Sequence, residues 1–348
     1  MGGFPSGQRE QTVNLPSTTS VVRIHLLPPK TVRSDPGSLF VFTESCDILI
    51  SDIYEKRILI LTFLDFIIAV IFGLVEGITE WLPISSTGHM ILLNEFLKIN
   101  VSEDFFSLYL VVIQLGAILA VVIVFWKDIW PFGIKDNPHP WKKEGFGRYV
   151  KADKFVMWFK VLVACVPAAI VGVLFDDLFD ELFYNYVCVA ISLILFGILF
   201  IVVENWIKDK KPHVRSEGEI TYPMAFFIGA CQLVAAVFPG TSRSGTTILG
   251  SISIGISREA AARFTFILAI PVMLGASLLK ILKYDGDVKG SEVALLIVGM
   301  VVAFAVSFVV IKWLLAYIRK NSFKVFGWYR IALGTLVLLL GLFGVIGK

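Results

Sequence analysis

Glu76 and Glu80 close an apolar run, and Pro83, Ser85, Ser86, Thr87 and His89 follow at once. Residues four apart share one face of a helix, so the two carboxylates point the same way. Two such charges repel unless a cation or a shared proton stands between them. The pair suits a divalent metal, with Mg²⁺ or Ca²⁺ the hard ions that take oxygen ligands, or an acid–base couple. A charge at the centre of a membrane helix costs roughly 2.5–3.5 kcal/mol, which marks it as functional rather than incidental. Pro83 stops the helix. Hydroxyls and free N–H groups at the start of the next helix make an anion site.

A second stretch, Pro239 to Thr247, carries Arg243 between Ser242 and Ser244, with Gly240 and Gly245 allowing the backbone to approach a ligand. Arginine is a planar, permanently charged fork suited to phosphate oxygens. If the two stretches meet, one dry pocket holds a phosphate clamp (Arg243), a nucleophile or general acid (Ser86, His89) and two carboxylates (Glu76, Glu80).

The elements that must position these groups are membrane helices. The 348 residues are 56% hydrophobic, above the usual share for soluble domains. Six apolar runs suffice to span a bilayer: about 105–126, 155–175, 184–206, 262–283, 291–318 and 325–346. Four are short: 59–81, 84–97, 222–238 and 244–256. They come as two pairs, each joined by a polar, proline-containing turn, as in helical hairpins that dip into the membrane and return. Backbone at such a turn must be buried in protein or line a wet cavity. Pro83–Ser86 aligns with Pro239–Ser242, 156 residues later, which sets Ser86 opposite Ser242 and Glu76 opposite Gln232. Leu115-Gly116-Ala117 aligns with Leu274-Gly275-Ala276. Each half, about 59–206 and 222–346, is then a hairpin plus three spans. Three is odd, so the second half is inverted.

Formal charge is +3 and the basic residues are scattered, so no nucleic-acid partner is implied. One set of loops carries fourteen Lys/Arg and the opposite set five, which puts the basic side in the cytoplasm. The acidic stretch 176–183, with Asp176, Asp177, Asp180 and Glu181, reads as a solvated outer loop. The four cysteines read as packing residues. Gln114 reads as an interhelical hydrogen-bonding residue, and most tryptophans as interfacial anchors. Residues 1–58 are polar and read as a disordered extension or a start assigned too early; 59–348 form the membrane domain.

"EGITEWLPISSTGH" (Glu76–His89) and "PGTSRSG" (Pro239–Gly245) resemble the two signature motifs of the undecaprenyl-diphosphate phosphatase family, also called the bacitracin-resistance protein family. The stretch Val112–Val122 also resembles that family's first full span, and the resemblance covers about residues 62–346. It implies an all-α polytopic membrane protein with six transmembrane helices and two re-entrant hairpins in an inverted-topology repeat, often a homodimer. It implies hydrolysis of undecaprenyl diphosphate to undecaprenyl phosphate and phosphate, which recycles the lipid carrier for peptidoglycan and other envelope polymers. The site would open to the outer face of the bacterial plasma membrane. The family's functional positions fall on Glu76, Glu80, Ser85, Ser86, Thr87, His89, Ser242, Arg243 and Ser244. Ser85, Thr87, Ser242 and Ser244 are expected to bind substrate with Arg243. Either Ser86 attacks phosphorus, with His89 or Glu80 taking its proton, or His89 attacks or activates water. Glu76 and Glu80 are the expected ligands of Mg²⁺ or Ca²⁺. A rival reading is a polyprenyl-phosphate flippase, which broken helices and a phosphate clamp would also serve.

Overall fold

The computed structural model describes residues 63–346 apart from 134–136, 143–144 and 184, and within 173–181 the side chains of 174 and 179 alone. The expectation for residues 1–58 lies outside the described residues. The described chain is helical, with only isolated β-bridges. Its elements in order are α1 (63–79), α2 (Ser86–Phe96), α3 (Glu103–Val124), the short α4 (Trp126–Ile129), α5 (Ala152–Phe183), α6 (Tyr186–Trp206), α7 (Tyr222–Val237), α8 (Arg243–Ser253), α9 (Arg258–Leu282), α10 (Gly290–Ile318) and α11 (Lys324–Leu342). Six of them, α3, α5, α6, α9, α10 and α11, are long and apolar enough to cross a membrane.

Local chemistry sets the starts of these helices. Ser102, Asn185, Thr221 and Ser257 each accept a hydrogen bond from a backbone N–H in the first turn of α3, α6, α7 and α9. One expectation is corrected. Residues 176–183 are not a loop; α5 continues through them to Phe183. The stretch from Val173 to Phe183 contains neither glycine nor proline, so nothing in it stops a helix.

The spans turn apolar side chains outward and polar ones inward. On α6, Ile191, Leu195, Ile198 and Val202 are exposed on one face, while Leu193, Gly197, Phe200 and Glu204 are buried on another. The exposed stripe suits lipid, as the six spans require. α6 and α11 pack antiparallel with their backbones nearly touching. A Cβ on Gly197 would lie 2.7 Å from the Gly327 carbonyl, and the reverse distance is also 2.7 Å. Further along, Gly334 faces the Ala190 carbonyl in the same way. Elsewhere α3 packs on α10 and α9, α5 on α7, and α8 on α7 and α9. α8 is enclosed by protein, for Ser244 through Ile252 are all buried.

One end of the bundle is fastened by charge. The Glu204 carboxylate, fully buried at the end of α6, accepts from Arg258 Nε at 2.8 Å, from Arg258 Nη2, and from the Phe323 N–H at 2.9 Å. This ties α6 to the start of α9 and to the α10–α11 connection. Arg263 bridges Asp128 and Glu217 at 2.8 and 2.9 Å. Burial pushes the Glu217 carboxyl up, but the hydrogen bonds and charge of Arg263, a backbone hydrogen bond and the charge of Lys154 together outweigh it and hold the group below its usual range.

Removing one partner of a buried, hydrogen-bonded pair costs up to about 3–5 kcal/mol, and losing Glu204 leaves both the buried Phe323 N–H and the two-thirds-buried Arg258 without their acceptor. Glu204→Ala should therefore lower the unfolding temperature in detergent by many degrees. Glu259→Ala, which breaks the exposed pair with Arg319, should change it little. Equal effects of the two substitutions would remove the fastening role from Glu204.

Candidate active site

Both polar turns are built the same way. Glu80 closes α1, its N–H still donating to the Glu76 carbonyl at 3.0 Å, and residues 80–84 turn the chain. Ser85 caps α2, accepting from Gly88 N–H at 3.3 Å. In the second turn Gly240 has φ 91°, and its missing Cβ lets it lie against the Val189 carbonyl of α6. Ser242 caps α8, accepting from Gly245 N–H at 3.1 Å. Ser85 (φ 74°) and Ser242 (φ 71°) are the two non-glycine residues with positive φ among the described residues. Such a conformation costs of order 1–3 kcal/mol and collects at functional sites. Each strained serine delivers the next residue, Ser86 or Arg243, to the first helical position. The caps thus set Ser85 opposite Ser242 and Ser86 opposite Arg243, one residue off the register that the prolines suggest.

The turns meet at Glu80. Its Oε1 accepts from Arg243 Nη2 at 2.9 Å, and its Oε2 accepts from Ser86 Oγ at 2.7 Å. The Ser244 hydroxyl donates to the Glu80 carbonyl at 3.1 Å, so this buried serine ties the turns together. Arg243 Nη1 also donates to the Thr265 carbonyl of α9 at 3.3 Å. The N-termini of α2 and α8 add partial positive charge at the same place. Ser86, Thr87, His89, Ser242 and Arg243 are half-buried, whereas Glu76, Glu80, Ser85 and Ser244 are buried.

His89 points to a different partner from Ser86. Its Nδ1 lies 2.7 Å from the Ser85 carbonyl, which can only accept, so Nδ1 carries the proton. In the neutral ring Nε2 then accepts from the Tyr329 hydroxyl, 2.7 Å away, and the two rings stack with a 5° interplanar angle. Tyr329 and the neighbouring Arg330 were absent from the sequence-derived set. The readable signal was Arg330 itself, a charge inside an apolar run. It is fully buried and donates to the Pro83 carbonyl at 3.3 Å and to the Gly240 and Thr241 carbonyls at 2.8 Å each.

A divalent cation meets a restricted donor set. Among the described residues no group of three His, Cys, Asp or Glu side chains could hold a metal. Both Glu80 oxygens are engaged with Arg243 and Ser86. Glu76 Oε1, however, is buried with no hydrogen-bond partner. One orphan carboxylate oxygen fits a hard cation whose remaining ligands are phosphate oxygens and water, a common habit of Mg²⁺.

Comparison with known proteins gives the family of the chain. The model of the bacitracin resistance protein BacA family matches residues 69–336. The chain belongs to the BacA family. It is 57% identical to an undecaprenyl-diphosphatase of Desulfitobacterium hafniense over 271 residues, covering 78% of this chain and 94% of that protein. It is 55% identical to undecaprenyl-diphosphatase 1 of Clostridium acetobutylicum over 270 residues, covering 78% and 95%. An undecaprenyl-diphosphatase of Enterococcus faecalis is 52% identical over 280 residues, covering 80% and 98%. Membership of the BacA family and the six apolar helices make this a multi-pass membrane protein.

The strained caps of this BacA-family site can be tested. Glycine at 85 or 242 removes the positive-φ cost, which offsets its extra entropy in the unfolded chain and a capping loss of a few tenths of a kcal/mol. Alanine keeps the strain and loses the cap, at about 1–2 kcal/mol. In detergent, Ser85→Gly and Ser242→Gly should unfold near the parent temperature and the alanine variants clearly below it. Alanine equalling glycine at both positions would refute the assigned strain.

Proposed function

We propose that this chain hydrolyses undecaprenyl diphosphate to undecaprenyl phosphate and inorganic phosphate, recycling the lipid carrier of envelope polymers and conferring bacitracin resistance. The observation that carries the reading is the Glu80 carboxylate shared by Ser86 and Arg243, whose donors come from two turns far apart in sequence. Relatives that bear the name undecaprenyl-diphosphatase match nearly the whole membrane domain.

The residues divide the work as follows. Arg243 and the N–H groups at the starts of α2 and α8 hold the diphosphate and the charge that builds on the transferred phosphoryl group. Thr87 and Ser242, half-buried beside them, complete the phosphate contacts. Ser86 Oγ attacks the terminal phosphorus while Glu80 Oε2 takes its proton, a transfer for which the 2.7 Å contact is already made. The bond from phosphorus to the bridging oxygen breaks and undecaprenyl phosphate leaves. Water then delivers its oxygen to phosphorus. Ser86 departs, takes back the proton from Glu80, and H₂PO₄⁻ is released. His89, held between the Ser85 carbonyl and Tyr329, orients the first turn of α2, which carries Ser86. Glu76, with substrate oxygens, would hold Mg²⁺ or Ca²⁺. Such a cation would offset diphosphate charge.

The finer architecture belongs to the same proposal. The two turns read as re-entrant hairpins in an inverted repeat. Gly73 of α1 lies against the Gly299 carbonyl of α10, and Gly229 of α7, 156 residues later, against the Ala164 carbonyl of α5. Those are the contacts that exchanging the halves would interconvert. The excess of Lys/Arg in one set of loops puts that side in the cytoplasm. The first hairpin, with Ser86, then opens to the outer face of the bacterial plasma membrane.

Purified protein in detergent, where vectorial transport has no meaning, should release phosphate from undecaprenyl diphosphate. Arg243→Ala should lower kcat/KM by roughly 10³-fold, since it removes a charged clamp on the transition state. Chelation with EDTA should suppress release, and Mg²⁺ or Ca²⁺ should restore it. A rapidly quenched reaction with labelled substrate should leave phosphate on Ser86. A label on His89 would reverse the two roles, and near-parental turnover by Arg243→Ala would end the clamp.

A further inference from the structure

Arg330 sits in the middle of α11, with no exposed surface. Its guanidinium reaches both turns at once. Nη1 donates to the Pro83 carbonyl, two residues before the cap of α2. Nη2 donates to the Gly240 and Thr241 carbonyls, the last two before the cap of α8. The Phe196 ring lies 5.8 Å from the guanidinium carbon. Among the described residues no ion pair includes Arg330. A buried cation normally has an anionic partner, because desolvating a lone charge is expensive. Here the partners are carbonyl dipoles, and the positive charge stands directly behind two helix N-termini. The field in front of the turns is therefore positive, and a bound anion would complete it.

We infer that Arg330 is a positioning residue: it fixes the two turns in register, so that Ser86 and Arg243 meet on the one Glu80 carboxylate, and its uncompensated charge favours the anionic substrate. It does not touch the substrate, being sealed beneath the turns. The substrate part of this inference rests on the phosphatase reading above. Lysine at 330 preserves the charge, but its ammonium is a point on a flexible stem and lacks the planar fork that spans two turns. Glutamine removes both charge and fork.

Misplacing reacting groups by about 1 Å costs on the order of 10²-fold in rate, while the prenyl tail's contribution to binding is untouched. R330K should therefore lower kcat by about 10- to 100-fold with KM changed less than threefold, and R330Q should lower it further. Rates are taken per folded molecule, with folding checked by size exclusion and thermal unfolding in detergent. A second measurement needs no turnover. In a background without native cysteines, Ile84→Cys places a thiol in the first turn, where Ile84 is buried. Its maleimide labelling should be at least tenfold faster with R330Q than with Arg330, and intermediate with R330K. If both variants keep kcat within threefold per folded molecule, or if labelling at 84 is unchanged, the positioning role is wrong. If the parent protein releases no phosphate, the phosphatase reading fails, and the labelling arm still decides whether Arg330 ties the turns.

Discussion

A chain that reverses direction among apolar helices must satisfy its own backbone, because water cannot do it. Each unpaired carbonyl or N–H so buried costs several kcal/mol. Here the turns solve that problem with few groups. Ser85 and Ser242 answer first-turn N–H groups of α2 and α8. Arg330 answers three carbonyls, and Ser244 answers a fourth across the gap between the turns. The residues next in sequence to the capping serines are Ser86 and Arg243, so the chemistry is mounted directly on the backbone solution. The groups that satisfy the backbone and the groups of the proposed catalytic geometry form one network, so a change in either alters the other.

Glu80 is the hinge of that network. It pairs with a cation from one turn and a hydroxyl from the other, and both side-chain contacts run at hydrogen-bonding distance. A carboxylate paired with Arg243 at 2.9 Å is aimed at Ser86, the geometry that the proposed proton transfer requires. The platform beneath Arg243 is rigid: α8 is enclosed, and Thr247 and Ser251 return their hydroxyls to carbonyls one turn earlier. Preorganisation of this kind lowers the cost of holding charge in the transition state, since little has to rearrange when charge develops.

Much of this was legible in the sequence, and the misses have physical causes. All six spans stand out because a bilayer demands about twenty apolar residues, and α1, α2, α7 and α8 stand out because they fall short of that. The pairing of Glu80 with Arg243 follows once intramembrane charges are taken to need partners. The register of the two turns was off by one residue because it was anchored on Pro83 and Pro239. The structure counts from the caps instead, and Gly240, with its positive φ, lengthens the second turn. Residues 176–183 read as loop because they are acidic, yet charge does not break a helix when glycine and proline are missing. Tyr329 and Arg330 were passed over because a long apolar window averages one arginine away, although a lone buried charge is the strongest local signal a membrane helix carries.

Why Arg330 can reach both turns is a matter of backbone packing in the neighbouring turns of α11. Gly327 and Gly334 let α11 lie against α6 with carbonyl contacts of 2.7 and 2.8 Å to a would-be Cβ, at Gly197 and Ala190. Small residues at such an interface are the usual means of close approach where no hydrophobic force drives helices together. Arg330 lies between these two glycines, so its backbone is held near α6 as well. Val189 of the same α6 carries the second turn, through the contact with Gly240. On the side of the first turn α11 is also joined to α2, since the Tyr329 hydroxyl bonds His89 at 2.7 Å. Glycines with no chemistry of their own thus set the height and rotation of α11. That setting decides whether one guanidinium can answer the carbonyls of both turns.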